Sequence, residues 1–246
     1  MSGHLVAVSD LHFDYPDGQP ALRGVSFRLG QGASVAVIGG NGAGKTTLLL
    51  HLNGVLRAGS GVVRIDGLPV ARENLPAIRQ TVGMIFQDPD DQLFMPTVFD
   101  DVAFGLRSRG LAEAEIASRV ESALATVGAG HLQARPPYRL SGGEKRVVAI
   151  AGVLAMRPSV LVMDEPSSGL DPAARRRLIN LLAELELTKV VATHDLDLVL
   201  DLCQRVLVMH EGVLAGDGRP AEIFADTALL QRCNLEPPLS QQRRQG

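Results

Sequence analysis

At 246 residues, with 46% hydrophobic and 21% charged side chains, the chain carries enough apolar material for a sizeable core and lies outside the disordered and fibrous classes. A net charge of −3 sets up no broad positive field for nucleic acid, and the two cysteines, Cys203 and Cys233, read as structural because they form neither a disulfide framework nor a C-x-x-C metal site. The longest apolar runs, such as VLVM at 160–163, fall short of the roughly 18 residues a transmembrane helix needs, and MSGHLVAVSD shows no signal-peptide pattern, so a cytosolic chain is the default expectation.

Taken in chain order, LVAVSDLHFDY and LRGVSFRLGQG alternate apolar and polar residues, as short antiparallel strands with one solvated face do. SVAVIG at 34–39 is instead a nearly continuous apolar run, the mark of a strand buried on both faces, and it leads into a glycine turn and a helix beginning near Lys45. Further strands are expected at Val62–Ile65, Val82–Phe86, Val160–Met163, Val190–Thr193 and Val206–Met209. Between about 97 and 155 the strand signals vanish and LAEAEIASRVESALATVG has helical spacing, which predicts an inserted helical subdomain. Val147, Ile150, Ala151 and Leu154 share one helical face, so a helix is predicted to start just after the SGG turn. The tail EPPLSQQRRQG is proline-interrupted and polar, and is expected to be loose. The fold class is α/β: a mainly parallel central sheet, an N-terminal antiparallel β subdomain and the helical insertion.

In GGNGAGKTT at 39–47, Gly39, Gly44, Lys45 and Thr46 satisfy the G-x-x-x-x-G-K-[ST] pattern of a P-loop NTPase. Its amides, from Gly39 and Gly40 through Asn41, Gly42 and Ala43 to Thr47, wrap the phosphates of a nucleotide. Lys45 meets the β and γ oxygens, and the Thr46 hydroxyl ligates Mg²⁺. In VLVMDEP, Asp164 and Glu165 end a buried strand where an α/β sheet keeps its ligand crevice. Asp164 suits Mg²⁺ held through water, and Glu165 suits a base for the water attacking the γ-phosphate. His194 in VVATHDLD and Gln87 after VGMIF follow the same logic, a polar side chain at a strand end able to reach the γ-phosphate, the metal or the water. In isolation His194 reads better as a capping or core histidine and Gln87 as a solvated loop residue; only the neighbouring Asp164 and Glu165 reverse this. A second small-residue turn, LSGGEKRVVAIA at 140–151, also opens a helix, although one such turn is enough to hold a phosphate.

The ordered set GGNGAGKTT, Gln87, LSGGE, VLVMDEP, GLDP and THD resembles the ATP-binding cassette superfamily from about Leu5 to about Ile223. The resemblance implies one cassette at 1–223, with the helical insertion at about 97–155, and a partly flexible extension at 224–246. It also accounts for the second turn. In that family two cassettes sandwich two ATP molecules head to tail, so Ser141, Gly142, Gly143 and Glu144 would serve the γ-phosphate of a partner subunit. By the same resemblance Tyr15 stacks on adenine, Asp171 links the two sites across the dimer, and His194 is the switch histidine. A homodimer is favoured because this chain keeps both half-sites.

One departure is Glu144, where the family more often has glutamine. A carboxylate beside a polyanion weakens nucleotide-driven closure unless Lys145 or Arg146 offsets its charge.

The stretch FQDPDDQLFMPTVFDDVAFG, from Phe86 to Gly105, resembles the ATPases of energy-coupling-factor importers, especially those of cobalt and nickel uptake. By that resemblance Asp88 to Leu93 contact the coupling helices of a transmembrane scaffold. The chain would then sit peripherally on the cytoplasmic face of the cell membrane, beside scaffold and substrate-binding membrane subunits. The six histidines are scattered in sequence, so cargo specificity is expected in another subunit, with no direct contact between this chain and the transported metal. The alternatives are a vitamin importer or other cassette transporter and, more remotely, a soluble cassette ATPase acting on DNA or ribosomes. The last usually needs coiled coils, a second cassette or basic extensions.

Overall fold

The computed structural model describes residues 4–242. The chain begins with a hairpin of β1 (Val6–Asp14) and β2 (Pro20–Leu29), then β3 (Ser34–Ile38), α1 (Lys45–Leu52), β4 (Ser60–Ile65), β5 (Leu68–Pro69), α2 (Leu75–Thr81) and β6 (Val82–Ile85). The helical insertion consists of α3 (Val98–Ser108), α4 (Glu113–Thr126) and α5 (Gly142–Ala155). The sheet resumes with β7 (Val160–Asp164), α6 (Pro172–Glu184), β8 (Thr188–Ala192), α7 (Leu196–Leu202), β9 (Arg205–His210) and β10 (Val213–Gly218), and α8 (Pro220–Ala225), α9 (Thr227–Arg232) and α10 (Leu239–Gln242) follow.

Among the described residues the strands form two sheets. The first, in the order β2-β1-β4-β5, is antiparallel throughout, and its inward residues Val6, Val8, Leu22, Val25 and Phe27 are buried. The second has the order β10-β9-β3-β8-β7-β6; every neighbouring pair runs parallel except the edge pair β9 and β10. β3, β7 and β8 are buried along their whole length. Their alternate side chains feed two cores: Val35, Val37, Val162 and Val190 face α1 and the antiparallel sheet, while Ala36, Ile38, Leu161, Met163 and Val191 face α6, α7 and the C-terminal helices. Both faces being covered is why these strands read as unbroken apolar runs. A third core lies within the insertion, where Val102 and Leu106 of α3, Ile116 and Val120 of α4, and Val148 and Ala151 of α5 pack together. Among the described residues no helix is long and apolar enough to cross a membrane.

The strand expected at Val62–Ile65 is the end of β4, in the antiparallel sheet beside β1. Three other features differ from the sequence reading. The edge strand β10 was not anticipated; its half-exposed, glycine-containing sequence VLAGDG gives little periodic signal. The α5 helix begins inside the SGG turn, with Ser141 as its N-cap. Its buried residues are Arg146, Val148, Ala149, Ile150, Ala151 and Ala155, whereas Val147 and Leu154 are only half-buried, because α5 is wedged between the inserted helices and the sheet and uses more than one face. The tail is also more ordered than expected as far as Gln242: α10 lies beside α7, and Ser240 donates its hydroxyl to the Asp197 carboxylate. The rest of the tail, from 243 on, lies outside the described residues. Before it, Phe224, Leu229, Leu230 and Cys233 are buried in the second core.

Candidate active site

β3 ends at Ile38 and the chain turns through Gly39 to Gly44 into α1. Two of these positions demand glycine. A Cβ on Gly39 would lie 2.2 Å from the Met209 carbonyl oxygen, and one on Gly44, whose φ is 98°, would lie 2.6 Å from that of Ala21. Gly44 is the N-cap of α1, and no side chain caps the helix, so its first amides are left to bind an anion. Lys45, 8% exposed, reaches back over the loop, donating to the carbonyls of Gly39 at 2.9 Å and Gly40 at 3.1 Å. Burial pushes its pKa below the ordinary lysine value, opposed by the nearby Glu165 and Asp164 charges.

The ends of β7 and β8 meet this loop. Asp164 is buried, and its Oδ2 accepts from Thr46 Oγ1 at 2.7 Å. Two hard oxygens facing one another beside a phosphate loop suit an oxygen-seeking cation that completes its shell with substrate phosphates. Glu165 has a φ of 44°, rare for a residue with a side chain and a pointer to function when it occurs beside a cavity. Its Oε2 accepts from the Thr193 hydroxyl at 3.2 Å and the His194 N–H at 3.1 Å. Its Oε1 is buried with no hydrogen-bond donor among the described residues, and His194 Nε2 stands 3.5 Å away. Lys45 Nζ lies 3.2 Å from that same ring nitrogen.

These groups line one cavity of about 730 Å³, together with Tyr15, Asn41, Gly42, Ala43, Thr47 and Gln87. Tyr15 is half-buried, its hydroxyl 2.9 Å from Thr47 Oγ1 and its ring edge-on to Phe13 at a centroid distance of 5.1 Å. Gly39 and Gly40 lie behind the lining, as acceptors for Lys45. Ser141, Gly142, Gly143, Glu144 and Asp171 are absent from that wall; they line a different concavity, of about 650 Å³. Asp171 caps α6, accepting from the Ala174 N–H at 2.8 Å.

The second turn is satisfied by its own side chains. Ser141 Oγ accepts from the Glu144 N–H at 3.3 Å, and the Glu144 carboxylate accepts from the Ser141 N–H at 2.7 Å, a capping box. These bonds hold the Glu144 carboxyl below the usual carboxylate range, with help from Arg135, 3.8 Å away. Neither neighbour named from the sequence supplies that charge. Lys145 pairs with Asp90 at 2.6 Å, and buried Arg146 donates to the carbonyls of Phe86 at 2.7 Å and Gln87 at 2.6 Å, tying α5 to the Gln87 loop. Sequence reasoning also missed Ser167, Ser168 and Asp195 on the cavity wall. Asp195 had a faint signal, an acidic residue immediately before the apolar run of α7.

An uncapped helix start behind a lysine loop, a buried aspartate on the loop threonine and a glutamate fixed by one oxygen together define a P-loop nucleoside triphosphatase. A model of the ABC transporter family matches residues 22–168. The chain belongs to that family of ATP-binding subunits and is an ATPase. An ABC transporter ATP-binding protein of Geobacter sulfurreducens is 59% identical over 242 residues, 98% of this chain and 97% of that protein. An energy-coupling factor transporter ATP-binding protein, EcfA, of Methanothermobacter thermautotrophicus is 48% identical, over 95% of this chain and 77% of its own length. The solved structure of CbiO1 from Clostridium perfringens, described as part of the ABC transporter complex CbiONQ, superposes with a TM-score of 0.82 at 42% identity, covering 94% of each chain.

Proposed function

We propose that the chain is the ATPase subunit of an energy-coupling-factor type importer, that it closes as a homodimer around two ATP molecules, and that its cargo is a divalent transition metal, cobalt first and nickel next. The observation carrying this reading is the separation of the two glycine turns. Each lines its own concavity, which supports a site in which the serine-diglycine turn facing a phosphate on the Lys45 loop comes from a second chain.

Within each composite site, the α1 amides and Lys45 hold the phosphates, and Tyr15 offers its ring to adenine. Thr46 and Asp164 would hold Mg²⁺, with Gln87 on the wall of the same cavity; when bound, the ion would offset charge on the phosphate oxygens. Glu165 takes the proton of the attacking water, and His194 contacts the γ-phosphate. Asp171 carries the state of one site to the other.

Outward transmission rests on the segment 86–105. Phe94 and Phe104 are 61% and 48% exposed, pack edge to face at 5.1 Å, and line a groove of about 320 Å³ with Met84, Leu93 and Met156. This groove suits the apolar face of a helix from a transmembrane scaffold, and Arg146 ties its Phe86 wall to α5. That partner would hold the chain on the cytoplasmic face of the membrane. Cargo identity rests on the resemblance of this segment to cobalt and nickel systems and on the likeness to CbiO1; the similarity to EcfA fits other cargoes equally well.

Copurification with membrane partners, followed by ATP-driven uptake of cobalt and nickel in reconstituted vesicles, is the test. Uptake that stops with Glu165→Gln supports the assignment; a partner complex that hydrolyses ATP while carrying neither metal removes the cargo assignment.

A further inference from the structure

Beside the cavity, one carboxylate ties three loops together. Asp195 accepts from Arg175 Nε at 2.5 Å and Nη2 at 2.6 Å, from Ser167 Oγ at 3.0 Å and from the Leu198 N–H at 2.9 Å. Ser167 belongs to the loop that carries Glu165. Arg175 lies in the first turn of α6, its N–H bonded to the Asp171 carbonyl at 2.9 Å. The ion pair is largely shielded, its side chains 23% and 22% exposed, and a two-pronged guanidinium grip fixes direction as well as charge.

A second set of bonds leads from this lock to the glutamate. The Asp195 N–H donates to Thr193 Oγ1 at 3.0 Å. Thr193 is fully buried, and with that lone pair occupied its proton points to Glu165 Oε2 at 3.2 Å. The His194 N–H adds a second bond to the same oxygen at 3.1 Å, so Oε2 is pinned while Oε1 keeps its lone pairs for an incoming proton. The Thr193 hydroxyl and the His194 N–H thus hold Glu165, and Arg175, through the Asp195 carboxylate, holds their segment against the Asp171 turn.

We propose that Arg175 and Asp195 are positioning residues for hydrolysis: their ion pair locks the loop after β8 to the start of α6, so that docking of a second chain against the Asp171 turn sets the orientation of Glu165. The inference rests on the reading of Glu165 as base and of the site as shared between chains.

The test compares turnover and ATP affinity in full-length chains carrying Arg175→Ala, Arg175→Lys, Asp195→Asn, the Arg175→Ala/Asp195→Asn pair, Glu165→Gln, and Arg175→Ala added to Glu165→Gln. Arg175→Ala and Asp195→Asn are each expected to lower kcat by about 10- to 100-fold with KM for ATP changed by less than about threefold, the signature of lost orientation. The pair should be no slower than its slower member, because both changes break one lock. Arg175→Lys should recover part of the loss, supplying the charge without the fork. On the Glu165→Gln background, Arg175→Ala should change the residual rate by less than about twofold. Unchanged turnover in Arg175→Ala and Asp195→Asn, or a loss carried by KM or matched by a lower urea midpoint, overturns the proposal. Where Arg175→Ala fails to fold, Arg175→Lys and Asp195→Asn decide it by the same criteria. Glu165→Gln turning over at the parent rate overturns the base assignment instead, whatever the Arg175 variants do.

Discussion

Two helices in this chain open from glycine turns, and their first amides are used in opposite ways. At α1 no side chain caps the N-terminus, and the surrounding side chains, Lys45, Thr46, Asp164 and Glu165, are aimed at a common space. At α5 the Ser141 and Glu144 side chains cap the turn, and an ionised carboxylate already sits where the helix dipole favours an anion. On the proposed reading the first turn is a phosphate seat that one chain can furnish alone. The second is capped by its own side chains and lines a different concavity, and on the proposed reading it serves the phosphate of a second copy.

The contrast breaks most sharply at Glu165. Glu165→Gln is expected to lower phosphate release by about 10²- to 10⁴-fold, the usual worth of a positioned base, while ATP affinity measured by filter binding stays within about threefold. Complementation sharpens it further. Lys45→Ala disables the α1 seat and Ser141→Arg disables the α5 surface, so each variant alone should be inactive. Random pairing of a 1:1 mixture leaves about a quarter of the sites intact, and turnover should return to about that fraction of the parent rate. Sites built within one chain would give no recovery. The smallest effect is expected at Glu144. Glutamine can fill the same capping box, so Glu144→Gln should leave the unfolding midpoint unchanged and, by removing one negative charge near the partner's phosphate, lower KM for ATP by about two- to fivefold. An unchanged KM would show that Arg135 already neutralises the carboxylate, and a higher one that the carboxylate itself favours ATP binding.

The seat was largely legible in the sequence because its chemistry is local. Lys45 and Thr46 are fixed by six residues of loop and one helix start, and Asp164, Glu165 and His194 stand at the ends of strands whose apolar runs are hard to misread. The α5 surface was legible as a motif but not in its electrostatics. Lys145 turned to Asp90, 55 positions away, and Arg146 to the carbonyls of Phe86 and Gln87, because the packing of α5 against that loop decides which cation meets which acceptor. Tertiary placement also supplies Arg135 as the partner of Glu144 and joins Arg175 to Asp195 across 20 positions. Single edge strands and end segments escaped for a different reason: β10 and α10 pack one side only and carry few apolar residues, so neither period stands out.

The central claim is that a terminal phosphate is held by two chains. Its most direct measurement is the solution mass of Glu165→Gln with ATP and Mg²⁺, alone and combined with Ser141→Arg, by sedimentation equilibrium. The mass should double on adding ATP to Glu165→Gln and stay that of a single chain when Ser141→Arg is also present. A single chain that retains ATP through gel filtration without doubling, or doubling that survives Ser141→Arg, would contradict it.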